Sequence, residues 1–284
     1  MSSAMLKSPD GTLLHVVWYA PARLPVRGAV VLLHGYSAHV GLMEETARFL
    51  ADHGLLVYGF DCRGHGLSTG RRGYVRRFEE FRMDLGLVLA EVRARHPNLP
   101  LALLGHSHGA TIALDSVLGG ETPVAALILV CLFLGLAMRV PWYKRWPAGV
   151  LGVLWPTLAL GNELDPQNLA RDAPARERLA RDPLRHHVAT ARWFREVKRA
   201  QAAILARAGE LRVPTWMALA GGDRLVDNAA ALAFAKAAGP VVTVKVYERA
   251  FHEILLDGER EQVRSDIATW VVAPLLSPYN SEHS

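Results

Sequence analysis

The sequence predicts an α/β protein in which a mostly parallel central sheet is flanked by helices. Short, continuous apolar runs, typical of strands buried on both faces, occur at 29–33, 55–60, 101–105 and 125–131. Segments with apolar residues at helical spacing lie between these runs, at 43–52, 78–95 and 110–118. This alternation is typical of parallel strands joined by crossover helices.

Turn signals and strand–helix alternation define the other elements. A Pro9-Asp10-Gly11 turn precedes a first strand at 13–19. The helix at 78–95 ends at His96-Pro97, because a residue before proline disfavours helix. Near the end of the chain the same alternation predicts a strand at 215–220, a helix at 228–238, a strand at 242–246 and a helix at 259–272.

The alternation is interrupted between residues 136 and 207. This stretch contains six prolines, several Trp, Tyr and Phe residues, and no buried-strand pattern, which predicts a helical insertion. We therefore expect a core formed by 1–135 and 208–276, a helical cap at 136–207 and a flexible tail at 277–284.

Composition limits the class of protein. With 51% hydrophobic residues among 284, the chain can form one large domain with an insertion or two smaller ones. Cys62 and Cys131 lie in or beside apolar segments, which predicts buried free thiols, and no zinc-binding spacing is present. Residues 1–10 lack an apolar signal region, and the run 124–138 is too short to span a bilayer. We expect a soluble, cytoplasmic protein.

The net charge of +5 is concentrated in the predicted cap. Residues 139–207 hold 13 Lys and Arg against 6 Asp and Glu. Acidic and basic residues alternate there at helical spacing, as in Asp172 with Arg176 and Arg178 with Asp182. With no nucleic-acid-binding motif present, we expect a solvated helix face and no nucleic-acid partner.

The strongest functional signal is the Gly105-His106-Ser107-His108-Gly109 turn, which follows a predicted strand and precedes a predicted helix. In this context the glycines allow a sharp turn that exposes the serine hydroxyl, so Ser107 is the predicted nucleophile. The alternative is an ordinary glycine-rich turn between strand and helix.

A serine nucleophile needs a base and a group that orients the base, here expected in the chain order Ser, Asp, His. His252 follows the strand at 242–246 and is the predicted base, the alternative being a surface-loop histidine. Asp223 follows the strand at 215–220 and is the preferred acid. Asp227 is its rival, although it could instead cap the helix that begins at Asn228.

The predicted oxyanion hole uses the backbone N–H groups of His108, which follows the nucleophile, and of Tyr36. The loop after Asp61 lacks the Gly-Lys-Ser/Thr of a phosphate loop and should support the site as a rigid loop. The adjacent His186 and His187 have no third ligand nearby, so a surface helix is preferred over a metal site. Structural support is expected from His34, Gly35, Asp61, Gly105, His106 and Gly109.

These motifs together resemble the α/β-hydrolase superfamily, and within it the lid-bearing monoacylglycerol lipase and lysophospholipase group, also labelled serine aminopeptidase S33. The resembling segments are 34–39, 60–68 with 70–73, 105–109, 222–227 and 252–253. The resemblance implies the α/β-hydrolase fold and ester hydrolysis by Ser107, Asp223 and His252 through an acyl-enzyme, without metal or organic cofactor. The implied substrates are monoacylglycerols or similar single-chain esters, such as lysophospholipids and p-nitrophenyl acyl esters. An aminopeptidase and a non-catalytic binding protein are the alternatives.

By the same resemblance, the cap at 136–207 covers an acyl-binding tunnel. Its apolar and basic character suits contact with a lipid interface, and the alternative is a cap packed onto its own core. The chain departs from the family pattern at two places. His108 stands where methionine is usual, which suggests an altered pH profile, and Tyr36 to His39 replace a glycine-containing loop sequence.

Overall fold

The computed structural model describes residues 1–21, 25–120, 123–138, 154–162 and 164–276, and it contains an eight-stranded sheet. The strands of this sheet are β1 (Ser2–Lys7), β2 (Leu13–Tyr19), β3 (Gly28–Leu33), β4 (Leu55–Phe60), β5 (Leu101–His106), β6 (Ala126–Val130), β9 (Thr215–Ala220) and β10 (Val242–Tyr247). Their spatial order is β1-β2-β4-β3-β5-β6-β9-β10. The six strands from β4 to β10 are parallel, and β2 pairs with β1 and β4 in antiparallel orientation. The predicted mostly parallel sheet is confirmed.

Helices cover the sheet. The core helices are α1 (Glu44–Asp52), α2 (Glu79–Arg95), α3 (His108–Leu118), α7 (Asn228–Ala238) and α8 (Arg260–Leu276). Short 3-10 helices occur at Val40–Met43, Ala208–Glu210 and Gly239–Val241. Strands β3, β4, β5, β6 and β9 are buried along their whole length, as expected for strands covered by helices on both faces.

The insertion is mostly helical where it is described, with α4 (Pro166–Leu169), α5 (Ala173–Arg181) and α6 (Ala191–Ala206). It also contains an antiparallel pair that the sequence did not predict, formed by β7 (Ala159–Gly161) and β8 (Val188–Thr190). These strands are three residues long, too short to show a strand periodicity. The predicted limits of core and cap, and the predicted tail at 277–284, stay predictions; the tail lies outside the described residues.

Two parts of the insertion pack differently. Apolar residues of α6, such as Trp193 and Val197, join the main core. Leu169 and Leu179, from α4 and α5, form a separate small cluster with Leu42 of the core. Part of the insertion therefore packs into the main core, and part contacts the core through a smaller apolar cluster.

An exposed charge pair at helical spacing is formed on α5, where Arg181 lies 2.8 Å from the Glu177 carboxylate. Arg178 instead donates to the Glu45 carboxylate of α1 at 2.8 Å, and Asp182 lies 2.7 Å from His39 Nε2. Asp182 and His39 are largely buried, whereas the Arg178 side chain remains 38% exposed. Helix α5 therefore has a solvated charged surface, while Arg178 and Asp182 pair with residues of the core.

Two further expectations concern the thiols and the membrane. Cys62 and Cys131 are buried and free, as predicted. None of the helices that the structure describes is both long enough and apolar enough to cross a bilayer.

Candidate active site

The turn between β5 and α3 holds Ser107 in an unusual backbone conformation, with φ 53° and ψ −116°. A Cβ at Gly105 would lie 2.5 Å from the Ala110 Cα and the Gly109 carbonyl oxygen. A Cβ at Gly109 would overlap the carbonyl oxygens of β3 and of His34. Both glycines are required because the chain reverses too tightly for a side chain. The strained serine is the kind of outlier that accompanies functional sites.

The structure brings together the three residues predicted to form the triad. Ser107 Oγ donates to His252 Nε2 at 2.9 Å, and His252 Nδ1 donates to Asp223 Oδ2 at 2.8 Å. The other carboxylate oxygen of Asp223 accepts from the backbone N–H groups of Leu225 and Val226 at 2.8 and 3.0 Å. The side chains of Asp223 and His252 are almost fully buried. All three side chains lie where strands β5, β9 and β10 end, as parallel topology requires.

Asp227, the rival acid, has another role. Its carboxylate accepts from the backbone N–H of Ala229 at 2.9 Å and caps the N-terminus of α7. Asp227 therefore has the role of a helix cap, which the sequence analysis gave as its alternative to being the acid.

Opposite charges tune the base and the acid toward their charged forms. Burial alone would lower the pKa of His252, but the adjacent Asp223 carboxylate outweighs burial and raises the pKa above its usual value. Burial alone would raise the pKa of Asp223, but His252 and two backbone N–H donors outweigh it and lower that pKa. A carboxylate that favours the imidazolium is what a general base requires as it takes a proton.

The predicted oxyanion donors flank Ser107. His108 is the first residue of α3, where backbone N–H groups have no acceptor within the helix. Tyr36 follows Gly35, and a Cβ at Gly35 would lie 3.3 Å from the Ser107 Cβ. The Tyr36 ring stacks on Trp193 at 3.8 Å between centroids, and its hydroxyl donates to the Val188 carbonyl at 2.7 Å. The loop is thus held against the nucleophile from the cap side.

Three predicted support residues have well-defined hydrogen bonds. His34 donates from Nδ1 to the Gly35 carbonyl at 2.8 Å and accepts at Nε2 from the Cys62 N–H at 2.9 Å. His106 Nε2 donates to the His252 carbonyl at 3.0 Å. Asp61 accepts from the backbone N–H groups of Val40 and Leu67 at 2.7 and 2.8 Å and lies 3.1 Å from His15 Nδ1. Asp61 therefore anchors its loop through these hydrogen bonds.

A cavity of about 160 Å³ opens at Ser107 and His252. Most of its wall is apolar, contributed by Phe133, Leu136, Met138, Leu158, Leu160, Leu169, Trp193, Phe194, Leu225 and Val226, among others. Two charged residues, Arg185 and Glu253, also line it. Sequence reasoning did not identify either residue; the position of Glu253 beside His252 was the one available signal.

Comparison with known proteins agrees with this geometry. The family profile Hydrolase_4, described as serine aminopeptidase S33, matches residues 25–259. The chain belongs to this family.

Its relatives include a monoacylglycerol lipase from Mycolicibacterium smegmatis, 32% identical, with 88% of this chain and 89% of that protein aligned. A human monoglyceride lipase is 31% identical over 87% of this chain and 82% of that protein. Among solved structures, Paleococcus ferrophilus monoacylglycerol lipase has a TM-score of 0.83 at 25% identity, covering 92% of this chain and 99% of that one. A Saccharomyces cerevisiae monoglyceride lipase, at 20% identity and a TM-score of 0.86 over 96% and 95% of the two chains, shows the shared fold.

The predicted α/β-hydrolase fold and family are therefore confirmed. The family match and the lipase and esterase relatives also support the predicted enzyme class, a carboxylic ester hydrolase.

The side chain of His108 points away from the triad in this hydrolase. It packs among aromatic rings, 5.0 Å from Phe81 and 5.5 Å from Trp193 between centroids. Burial, together with repulsion from other histidines, lowers the pKa of His108 to about 3. The imidazole is neutral at the pH at which a histidine base works, so the suggestion that it alters the pH profile is not supported.

The sequence prediction for His186 and His187 is wrong, because neither residue lies in a helix. Helix α5 ends at Arg181, before Asp182-Pro183, as the residue before a proline disfavours helix. His187 is exposed, whereas His186 is buried, with its ring 4.7 Å from His65 and 5.1 Å from Tyr36. The carbonyl of His186 accepts from Ser37 Oγ, which joins the cap to the Tyr36 loop.

Among the described residues, one group of three side chains could in principle hold a metal ion. Cys131, Asp223 and His252 have one ligand atom each within 4.8 Å of the others. Two of the three are the hydrogen-bonded acid and base described above, and burial raises the pKa of the Cys131 thiol. The residues of this group therefore belong to the triad and its immediate packing.

Proposed function

We propose that this protein is a serine hydrolase that cleaves carboxylic esters of single-chain lipids through an acyl-enzyme, with Ser107, His252 and Asp223 as its triad. The observation that carries the proposal is the hydrogen-bonded chain from Ser107 Oγ to His252 and Asp223, at 2.9 and 2.8 Å. This chain ends at a mainly apolar cavity, which suits an acyl group.

The reaction proceeds in two steps. His252 Nε2 takes the proton of Ser107 Oγ as this oxygen attacks the ester carbonyl, and the oxyanion accepts hydrogen bonds from the N–H groups of Tyr36 and His108. His252 then gives its proton to the departing alcohol, leaving an acyl group on Ser107. Water attacks this ester with His252 again as base, and the fatty acid leaves. Asp223 holds the imidazole in the tautomer with the proton on Nδ1 and stabilises the imidazolium.

The preferred substrate is a monoacylglycerol or a similar single-chain ester, such as a lysophospholipid. Two observations support this choice. Relatives that align over most of the chain include proteins named monoacylglycerol or monoglyceride lipase and one named phospholipase. The cavity wall is largely aliphatic and aromatic, which favours a hydrocarbon chain over a peptide.

The cap also contacts lipid interfaces. Leu154 and Trp155 are 77% and 60% exposed, and Leu160 is 39% exposed while it also lines the cavity. An apolar surface near the cavity, in a segment with excess positive charge, suits peripheral binding to an anionic lipid surface. Flotation with vesicles containing anionic lipid tests this point: the wild type should bind, and Leu154→Ser with Trp155→Ser should bind less. Equal binding of both proteins would contradict the lipid contact.

The enzymatic proposal is tested by hydrolysis of a monoacylglycerol. Ser107→Ala should lose essentially all turnover, because the nucleophile is absent, while its thermal unfolding stays close to that of the wild type. An amino-acyl amide measured in parallel should be cleaved far more slowly than the ester. Undiminished ester turnover by Ser107→Ala, or a preference for the amide, would overturn the proposal.

A further inference from the structure

Arg185 is an arginine buried next to the candidate active site, and it forms no direct ion pair with any residue that the structure describes. It is 7% exposed and lines the cavity that contains Ser107. Among the described residues its guanidinium donates one hydrogen bond, from Nη1 to the Leu179 carbonyl at 2.6 Å. A buried charge without a contacting partner is costly unless a further group compensates it.

Burial lowers the pKa of Arg185, and among the described residues the acids that oppose this effect are Glu253 and Asp182. Asp182 already bonds His39 and the backbone N–H of Leu184. Glu253 is half-buried and lines the same cavity as Arg185. No described residue donates a hydrogen bond to the Glu253 carboxylate, so this acid and Arg185 act on each other across the cavity rather than in contact.

We propose that Arg185 and Glu253 form a charge filter that selects an ester whose alcohol part carries no net charge and offers both a hydrogen-bond donor and an acceptor. The inference rests on the proposed function and names the substrate class of that site. The acyl chain occupies the apolar wall, because charged groups there would lose their hydration. The polar alcohol part therefore lies at the two charged residues.

The opposite signs explain the selectivity. A hydroxyl of the alcohol donates to the Glu253 carboxylate, and an oxygen of the alcohol accepts from the Arg185 guanidinium. An anionic alcohol part is attracted by Arg185 but repelled by Glu253. A cationic alcohol part is attracted by Glu253 but repelled by Arg185. In a cavity of low polarity such repulsions are stronger than in water. Vicinal hydroxyls and a zwitterion both meet the donor-and-acceptor condition without net charge.

The experiment uses esters that share the decanoyl chain and differ in the charge and polar groups of the alcohol part. Decanoylglycerol is neutral, decanoylglycerol phosphate anionic, decanoylcholine cationic, and decanoyl-lysophosphatidylethanolamine carries a zwitterionic headgroup. Methyl decanoate lacks a polar alcohol group and serves as the reference for general catalytic competence. The readout is kcat/KM for each ester divided by that for methyl decanoate, measured on a pH plateau so that changes at His252 cancel.

The wild type should favour the neutral or zwitterionic ester over both ions. Glu253→Gln should shift the neutral-to-anionic preference toward the anion by about tenfold, which corresponds to about 1.4 kcal/mol. Arg185→Met should shift the preference toward the cation by a similar factor. Arg185→Lys is the second variant, in case Arg185→Met disturbs the cap. It retains the positive charge and should keep the wild-type order of preference among the esters.

Arg181→Met is the matched control, because Arg181 lies on the same cap segment with a side chain 80% exposed. It should leave all ratios unchanged. Ratios that stay within twofold in both Glu253→Gln and Arg185→Met, with methyl decanoate still hydrolysed, would overturn the charge filter alone. A wild type that hydrolyses none of the esters would overturn the proposed function together with the filter.

Discussion

Replacing His108 with methionine is expected to make the protein less sensitive to acid. The imidazole is buried among aromatic rings, and its pKa lies at about 3 in the folded chain, against 6.5 for an unperturbed histidine. Below pH 6.5 the unfolded chain takes up a proton that the folded chain does not. Stability is therefore lost as pH falls from neutral toward 3, and this loss disappears when residue 108 cannot titrate.

The magnitude follows from the two pKa values. At pH 5 the unfolded histidine is mostly protonated and the folded one is neutral, so His108 alone should cost about 2 kcal/mol relative to pH 8. His34 and His186, whose burial lowers each pKa to about 4, remain in the variant and keep part of the acid sensitivity. The variant should thus lose about 2 kcal/mol less stability than the wild type between pH 8 and pH 5.

Urea unfolding at pH 8 and pH 5 measures this difference of differences, which does not depend on the packing change that the substitution itself causes. His53→Gln is the control, since His53 is exposed. This variant should lose as much unfolding free energy between pH 8 and pH 5 as the wild type does. The backbone N–H of residue 108 is retained, so esterase activity should persist. Equal pH dependence in His108→Met and the wild type would refute the reasoning.

Three further substitutions test the site. Asp223→Asn should reduce turnover by about 10⁴-fold, because the imidazole loses its orienting carboxylate. It should also move the acidic limb of the kcat/KM profile to lower pH, because the carboxylate that raises the pKa of His252 against the effect of burial is removed; an unmoved limb would contradict the assignment. Asp227→Ala should cost about 1 kcal/mol of unfolding free energy through the lost helix cap and leave turnover unchanged, whereas a loss of turnover like that of Asp223→Asn would exchange the roles of the two acids. Gly109→Ala should cost roughly 1–3 kcal/mol and most of the activity, because its methyl group overlaps backbone oxygens; wild-type stability and turnover would show that the turn relaxes freely.

The core strands were predictable because burial on both faces produces apolar runs. β9 has the limits that the sequence predicts, Thr215–Ala220, and each of its residues is buried. β1 was not predicted because it is an edge strand with a mostly exposed surface and no apolar run. Its register comes from pairing with β2, which is a tertiary property.

The candidate triad was predictable because parallel topology collects strand ends at one edge of the sheet. Ser107, Asp223 and His252 follow three different parallel strands, so their order and position in the sequence sufficed to select them. The choice between Asp223 and Asp227 depended on a single local signal, the helix that begins after Asp227.

The cap side of the site was not predictable in the same way. Arg185 follows Asp182-Pro183 in a basic segment that reads as solvent-exposed, yet the loop folds inward and buries it. His186 was assigned to a surface helix because no third metal ligand lies near it in the sequence. Side-chain direction in such a loop is decided by contacts with distant residues, such as those of Ser37 and Tyr36 with the cap backbone.

The central claim is that Ser107 carries the acyl group during turnover. The most direct measurement is peptide mass spectrometry of the protein quenched in acid during hydrolysis of p-nitrophenyl decanoate. A decanoyl group should be found on the peptide that contains Ser107 and should be absent from Ser107→Ala, which should not hydrolyse the ester. An acyl group on another residue, or continued hydrolysis by Ser107→Ala, would contradict the account.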